Sequence, residues 1–165
     1  MKNKKSNFIP TLKYAWTTVK HKWYVFNSGL KLNVPLRQLI VHDLSKFNIK
    51  RETVHYGRQF FGTKDDPIGF SYAWNHHQKN NKHHWEYWIP ASGRNTNPLP
   101  MPRRYAREMV ADWLGASKAY EGEYPNSLNS WKWYQSNFQR IKIHLETRIY
   151  IIMLLEQYFS KLNRG

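Results

Sequence analysis

The residues of this chain that could carry chemistry are concentrated between Trp74 and Trp88. Four of its eight histidines lie within nine residues there, at positions 76, 77, 83 and 84, and four large aromatic residues enclose them. Histidine is the commonest metal-ligating side chain in proteins. A polar loop between aromatic anchors would have a similar composition. The stretch therefore predicts a metal site only if carboxylates and histidines from other segments converge on it.

Carboxylates are scarce enough to be informative. The chain has 26 Lys and Arg against 11 Asp and Glu, a formal charge of +15, and its first 42 residues carry eight Lys or Arg and no acid. Asp43 and Asp112 both fall within apolar patterns. Because burying an unpaired carboxylate is costly, each needs a cationic partner. That partner is either a nearby Lys or Arg or a metal ion.

Composition limits the class of protein. A chain of 165 residues with 16% aromatic side chains is long and apolar enough for one folded domain, which excludes a disordered polyelectrolyte. The strong positive charge indicates an anionic partner such as nucleic acid, a nucleotide or an acidic surface. The absence of cysteine excludes disulfide scaffolds and thiolate metal sites.

No segment has the pattern of a secretory signal, and the longest apolar run, from Ile149 to Leu155, is too short to cross a bilayer. We therefore expect a cytoplasmic protein with no membrane partner, while a homodimer is allowed. Residues 1–7 form a basic tail, and residues 8–165 are expected to fold as a single domain.

Helical periodicity is the main structural signal before residue 65. In the first helix, from Pro10 to Asn27, an apolar stripe leaves His21 on its flank. In the second, which starts at Val34-Pro35, Asp43 follows the apolar positions with His42 beside it. The two stripes are Leu12, Trp16, Val19, Trp23 and Phe26, and then Leu36, Leu39, Ile40 and Asp43. A third helix is expected from an Asn48 cap to near Gly62.

A fourth helix is capped by Asp65 or Asp66 and begins at Pro67. It places His77 on the apolar face with Phe70, Ala73 and Trp74, and turns His76 roughly 100° away. The segment from 89 to 102 holds four prolines and is long for a structureless connection, which is typical of a lid or binding loop.

The helix predicted from Arg103 to Tyr120 has Asp112 on its stripe and Glu108 one turn earlier. After a loop at 122–130, one long helix from Phe138 to Leu162 is expected to close the core, with Arg148 on its surface. No strand pattern, repeat or Gly-rich phosphate loop is present. The fold class predicted is all-α, a single-domain helical bundle.

Taken in order, the candidate ligands are His21, His42-Asp43, His77, His83-His84 and Asp112. This order resembles the HD superfamily of metal-dependent phosphohydrolases, and the middle histidines resemble its two-metal branch. Three stretches, HDLSKF at 42–47, HHWEYW at 83–88 and EMVADW at 108–113, also resemble an uncharacterised family of small bacterial and phage proteins. The second resemblance implies no established activity.

The HD resemblance implies an HD-like helical domain and one or two divalent ions, among Mn, Fe, Zn, Ni, Co and Mg. His42, Asp43, Asp112 and His21 would hold the first ion. His77 would hold the second with either His83 or His84, a choice the sequence leaves open, and Asp43 would bridge the two.

The expected activity is hydrolysis of a nucleotide or short oligonucleotide phosphoester by metal-activated water. Asp43, Lys46 and Glu108 are the candidate catalytic residues. Lys46 would stabilise phosphate charge, and Glu108 would orient water or bind metal. Lys79 and Arg148, with Lys46, are the candidate substrate-binding residues.

Two other functions remain open. Some HD relatives are di-iron oxygenases, and a histidine-rich two-metal site suits iron. Alternatively, the charge and the many aromatic residues suit a non-enzymatic protein that binds nucleic acid.

Overall fold

The computed structural model describes residues 7–90 and 97–162. This part of the chain contains no strand, which confirms the all-α prediction, and forms seven α-helices. They are α1 (Phe8–Lys31), α2 (Leu36–Val41), α3 (Val54–Phe61), α4 (Pro67–Asn80), α5 (Arg103–Glu121), α6 (Lys132–Asn137) and α7 (Leu145–Leu162). Short 3₁₀ turns lie at Leu44–Phe47, Trp85–Trp88 and Phe138–Arg140, and a π turn lies at Ile49–Thr53. Of the predicted basic tail, residues 1–6 lie outside the described part.

Helix α5 is the central element and packs against both α1 and α7. Its side chains are buried on most sides, and they meet Val25 of α1 and Ile151 and Leu155 of α7 in one core. The crossing with α1 is close because Gly115 has no side chain. A Cβ atom at that position would lie 2.6 Å from Val25 Cγ2 and 2.7 Å from its backbone nitrogen.

A second, smaller core joins α1, α3 and α4. Tyr14 stacks on Tyr56 at 5.1 Å between ring centroids, and Ala73 and Phe70 complete the cluster. Both cores contact the same side of α1, and His21 lies on that side.

The orientation of α1 is the first correction to the sequence analysis. Its buried face comprises Pro10, Tyr14, Thr18, His21, Val25, Ser28 and Gly29. The predicted stripe faces solvent instead: Trp16 is 63% exposed and Trp23 is 61% exposed. Small and polar residues allow close contact with α5, and Thr18 bonds internally to the Tyr14 carbonyl. His21 is therefore buried, where the stripe had placed it on a flank.

Helix α2 also differs from the prediction, because it is shorter and buries only part of the predicted apolar face. It ends at Val41, and of its predicted apolar face Leu36 and Ile40 are exposed, while Leu39 is buried. Asp43 is buried for another reason. Its backbone adopts the left-handed conformation, with φ of +55°, which turns the chain inward after His42.

The predicted starts of the next two helical segments are confirmed. The Asn48 side chain accepts a hydrogen bond from the Arg51 amide at 3.1 Å, although a π turn precedes α3. Asp66 caps α4 by accepting from the Gly69 amide at 2.9 Å, and Pro67 is the first residue of that helix. His77 is fully buried, as its helical position predicted.

The long C-terminal helix predicted from Phe138 is broken, and α7 begins at Leu145. Arg148 stabilises the segment before α7, because its guanidinium donates hydrogen bonds to the carbonyls of Phe138 at 2.9 Å and Ile141 at 2.5 Å. Residues 91–96 of the predicted lid lie outside the described residues. The end of that segment is anchored by a hydrogen bond from the Met101 amide to Thr147 Oγ1. No helix in the described ranges is long and apolar enough to span a membrane.

Candidate metal centre

All seven predicted metal ligands converge on one buried centre with Asp43 in the middle. Asp43 Oδ1 lies 3.4 Å from His77 Nε2 and 3.3 Å from His83 Nε2. Its other oxygen, Oδ2, lies 3.6 Å from His21 Nε2 and 3.5 Å from His42 Nε2. Each carboxylate oxygen thus faces a different pair of imidazoles.

Two of the possible ligand sets share Asp43. The first set contains His21, His42, Asp43 and Asp112, and Asp112 Oδ1 lies 2.9 Å from His21 Nε2. The second set contains Asp43, His77, His83 and His84, and the Nε2 atoms of His77 and His84 are 2.9 Å apart. Within each set the ligand atoms lie within 4.8 Å of one another. His83 and His84 both belong to the second set, so either could act with His77.

The left-handed backbone at Asp43 explains how adjacent residues reach one point. In a continuous helix, successive side chains diverge by roughly 100°. Because α2 ends at Val41 and Asp43 adopts φ of +55° and ψ of +21°, both His42 and Asp43 turn toward the centre. Aspartate tolerates this conformation better than most residues.

Carboxylates behind the histidines fix which ring nitrogen faces the centre. Glu108 Oε1 lies 3.0 Å from His42 Nδ1 and 3.2 Å from His83 Nδ1, and Gln38 donates to Glu108 Oε2. An Nδ1–H group that donates to a carboxylate leaves the Nε2 lone pair free to bind metal. The structure therefore places Glu108 behind the ligands, where it positions His42 and His83. Glu108, His42 and His83 also form a third group whose atoms could hold an ion, so metal binding by Glu108 stays a prediction.

Glu52 makes the same kind of contact and was missed by the sequence analysis. It is fully buried in the π turn, with Oε2 3.1 Å from His77 Nδ1 and Oε1 2.6 Å from His76 Nδ1. A signal was available, because Glu52 is the only acid between Asp43 and Asp65. The scarcity that singled out Asp43 applies equally to Glu52.

Polar atoms at the centre lack the partners that buried groups normally have. His42 Nε2, His83 Nε2 and Asp43 Oδ1 are buried and make no hydrogen bond. Buried polar atoms are almost always satisfied in folded proteins. Unsatisfied imidazole and carboxylate atoms aimed at one point are the donor set that divalent transition ions prefer, so the residues fit such an ion.

The charges of the centre are coupled. Burial would raise the pKa of Asp43, but His42, Lys46 and His77 together hold that pKa well below its usual value. Burial would also raise the pKa of Asp112, but close contacts with His21 and His42 lower that pKa well below its usual value. At Glu108, contacts with His42 and His83 outweigh the effect of burial and lower the pKa to about 2. All three side chains are therefore anionic at neutral pH.

The histidines of the second set differ in charge. Burial favours the neutral form of His83, but its close contacts with the carboxylates of Asp43 and Glu108 raise its pKa to about 10. Burial lowers the pKa of His84 well below its usual value, assisted by the neighbouring His83 and His77. Burial also lowers the pKa of His77. His77 and His84 are therefore neutral and ready to bind metal, whereas His83 would release a proton when an ion binds.

Lys46 supplies a fixed positive charge at the same centre. Its Nζ lies 2.6 Å from Asp43 Oδ2, within an i, i+3 pair. Burial opposes the charge, but Asp43 outweighs it and raises the pKa of Lys46 well above its usual value. Lys46 is thus the cationic partner that the buried Asp43 requires.

The other two predicted substrate-binding residues, Lys79 and Arg148, are not members of the ligand sets and make contacts of their own. Lys79 is exposed on α4 and donates to the Glu86 carbonyl at 2.9 Å. Arg148 is engaged with the carbonyls at the start of α7, and its guanidinium also lies over the Phe138 ring. Arg148 therefore has a structural role, and its predicted contact with phosphate stays a prediction.

A pocket of about 580 Å³ opens beside the centre and is lined by one ligand of each set, Asp112 and His84. Its aromatic walls are Trp74, Trp85, Trp113, Tyr120 and Trp133. Arg140 is the only Lys or Arg among the described residues that line it. A molecule in this pocket would contact both ligand sets at once.

A family of unknown function, DUF5662, matches residues 11–157. The chain belongs to this family. The matched region contains all seven candidate ligands as well as Glu52, Glu108 and Lys46. No curated protein and no solved structure matches the chain.

Proposed function

We propose that this DUF5662 member is a two-metal phosphohydrolase with an HD-like fold, acting on a nucleotide or short oligonucleotide phosphoester. The observation that carries the proposal is Asp43, whose two oxygens face two separate sets of histidines. A carboxylate in that position suits two ions bound side by side. Two-metal sites of this kind are common in enzymes that cleave phosphoesters.

The residues of the centre would have three different roles in the reaction. The first set and the second set would each hold one ion, with Asp43 as bridge, and such ions acidify a bound water and neutralise phosphoryl charge. Glu108 and Glu52 keep the Nε2 atoms of their histidines aimed at the centre. Lys46 lies close enough to Asp43 to add positive charge near a phosphoryl oxygen.

The pocket supports a substrate with a flat organic group. Indole and phenol rings can stack on a nucleobase, and aromatic stacking is worth about 1–3 kcal/mol per base. Asp112 and His84 connect this pocket with the metal centre, so a phosphate group could reach the ions while the base lies between the aromatic walls. Arg140 supplies a positive charge that an anionic substrate could contact, although Glu86 and Glu121 also line the pocket.

The test combines metal analysis with turnover. Protein purified without a metal-affinity tag should contain close to two ions per chain and release phosphate from members of a nucleotide panel. Asp43→Ala should abolish both properties, whereas His144→Ala, a histidine outside the centre, should retain them. A protein loaded with two ions that is inert toward the whole panel would argue strongly against a phosphohydrolase.

A di-iron oxygenase is the second candidate, and two observations favour it. The centre has five imidazoles, and the described residues that line the adjoining pocket include five Trp or Tyr side chains and one arginine. Iron-loaded protein would then consume oxygen and give a mixed-valent iron spectrum, with no phosphate release. Absence of both signals in protein with two bound irons would reject this candidate.

A further inference from the structure

The exposed face of α1 carries a continuous apolar stripe along its whole length. The stripe residues are Ile9, Leu12, Trp16, Val19, Trp23, Phe26 and Leu30. Six of them are exposed, whereas Phe26 is partly buried against the main core and stacks on Trp23 with ring centroids 6.2 Å apart. Isolated exposed apolar residues are ordinary, but a contiguous stripe of this size marks an interaction surface.

The spacing of the stripe is that of a helix–helix seam. Successive members are separated by 3, 4, 3, 4, 3 and 4 residues. Alternation of three and four keeps the a and d positions of a heptad on one line, where they interlock with a second helix. The buried residues Tyr14, His21 and Ser28 occupy the opposite side of the same heptads. Helix α1 therefore has one face for its own domain and another face for a partner.

We propose that a second copy of this chain covers the stripe, in a parallel pairing of the two α1 helices. From the exposed fractions of six stripe residues and typical side-chain areas, each copy offers on the order of 600 Å² of apolar surface. That is close to the roughly 800 Å² that each partner buries in a standard interface. The pairing would not cover the metal centre, because His21 lies on the opposite face of α1, against its own domain.

The flanking charges favour the parallel arrangement. In a parallel seam, Phe8, Ala15 and Lys22 would lie beside Lys13, Lys20 and Asn27 of the second copy, so no lysine faces a lysine. An antiparallel seam would place Lys20 beside Lys20, or Lys13 beside Lys20, of the second copy. Like charges held together destabilise a pairing. Lys22 is also engaged within its own domain, since it donates to the carbonyls of Ile40 and His42.

Sedimentation and light scattering on the full chain test the proposal. At micromolar concentration the mass should be twice the 20.0 kDa of one chain. Trp16→Arg or Trp23→Arg should weaken dimerisation by at least about tenfold, as loss of a central aromatic contact does in interfaces. Both side chains are exposed on the helix, so circular dichroism should show an unchanged fold. Ile68→Arg, an exposed apolar residue on α4 outside the stripe, should leave the dimer intact.

The absence of cysteine allows orientation to be tested directly. Leu12→Cys and Phe26→Cys should each form a disulfide with the same residue of the second copy, which requires a parallel pairing. Failure of both to cross-link in an otherwise dimeric protein would overturn the parallel arrangement. A monomer at tens of micromolar would overturn the proposal, as would a dimer unaffected by both arginine variants. A monomer that binds vesicles containing anionic phosphatidylglycerol through Trp16 and Trp23 would assign the stripe to membranes instead.

Discussion

Gly115 of α5 lies against Val25 of α1, with no space for a side chain at position 115. The contact is one turn along α1 from His21 and one turn along α5 from Asp112. Those two side chains meet at 2.9 Å in the first ligand set. The geometry of the centre therefore depends on how closely two helices cross at a glycine.

Gly115→Ala should weaken both folding and metal binding. Its Cβ would meet backbone atoms of Val25, which cannot move away without shifting α1. Overpacking of this kind costs about 1–3 kcal/mol, and the shift would draw His21 away from Asp112. Urea unfolding would measure the first effect and metal titration the second. Wild-type stability and metal affinity in this variant would contradict a tight crossing.

Lys46→Met tests whether the lysine neutralises Asp43. Removing one partner of a buried ion pair destabilises a protein by about 3–5 kcal/mol, because a charge is left uncompensated. The loss should be large in protein treated with a chelator and much smaller after divalent metal is added, because the ion supplies the missing charge. Thermal melts of both forms give the comparison. Equal destabilisation with and without metal would show that Lys46 does not serve this purpose.

Glu108→Ala should lower metal affinity although Glu108 faces the back of the ligands. His42 and His83 would both lose the acceptor for Nδ1–H. Loss of such an outer contact typically reduces metal affinity by about 10–100-fold. Competition titration with a chromophoric chelator would measure the change. Glu121→Ala, on the same helix but outside the centre, is the matched control and should bind metal normally.

Asp66→Asn separates the charge of the α4 cap from its hydrogen bond, since asparagine also caps helices well. A hydrogen bond from His55 and the capping bond from Gly69 lower the pKa of Asp66 in the folded state. A lowered carboxyl pKa stabilises the fold above the unfolded value near 4, and that stabilisation is lost as pH falls through the folded value. The free energy of unfolding of the wild type should exceed that of the variant by about 0.5–1 kcal/mol at pH 6, and the difference should be smaller at pH 3. Urea midpoints at the two pH values provide the measurement.

Much of the centre was predictable because two signals depend only on local chemistry. Helical phase placed His77 correctly, since the apolar face of α4 packs inward around Ala73. The scarcity of acids singled out Asp43 and Asp112. The first signal identifies residues that recur on the buried face of a helix. The second identifies carboxylates, whose burial is unusually costly.

The remaining differences come from tertiary structure. Periodicity identified an apolar face of α1, but it could not show that the polar face carrying His21 would pack inward. Nor could it show that the chain would leave the helix at His42 and turn at Asp43. The break before α7 depends on Arg148 reaching carbonyls seven and ten residues away.

Glu108 contacts one histidine from each ligand set, and Asp43 belongs to both sets. An ion in either set would fix the orientation of Glu108 and Asp43, and so lower the entropic cost of ordering the ligands of the other set. Loading is therefore expected to be cooperative. With limiting metal, the population should divide into chains with no ion and chains with two, and singly loaded protein should be rare.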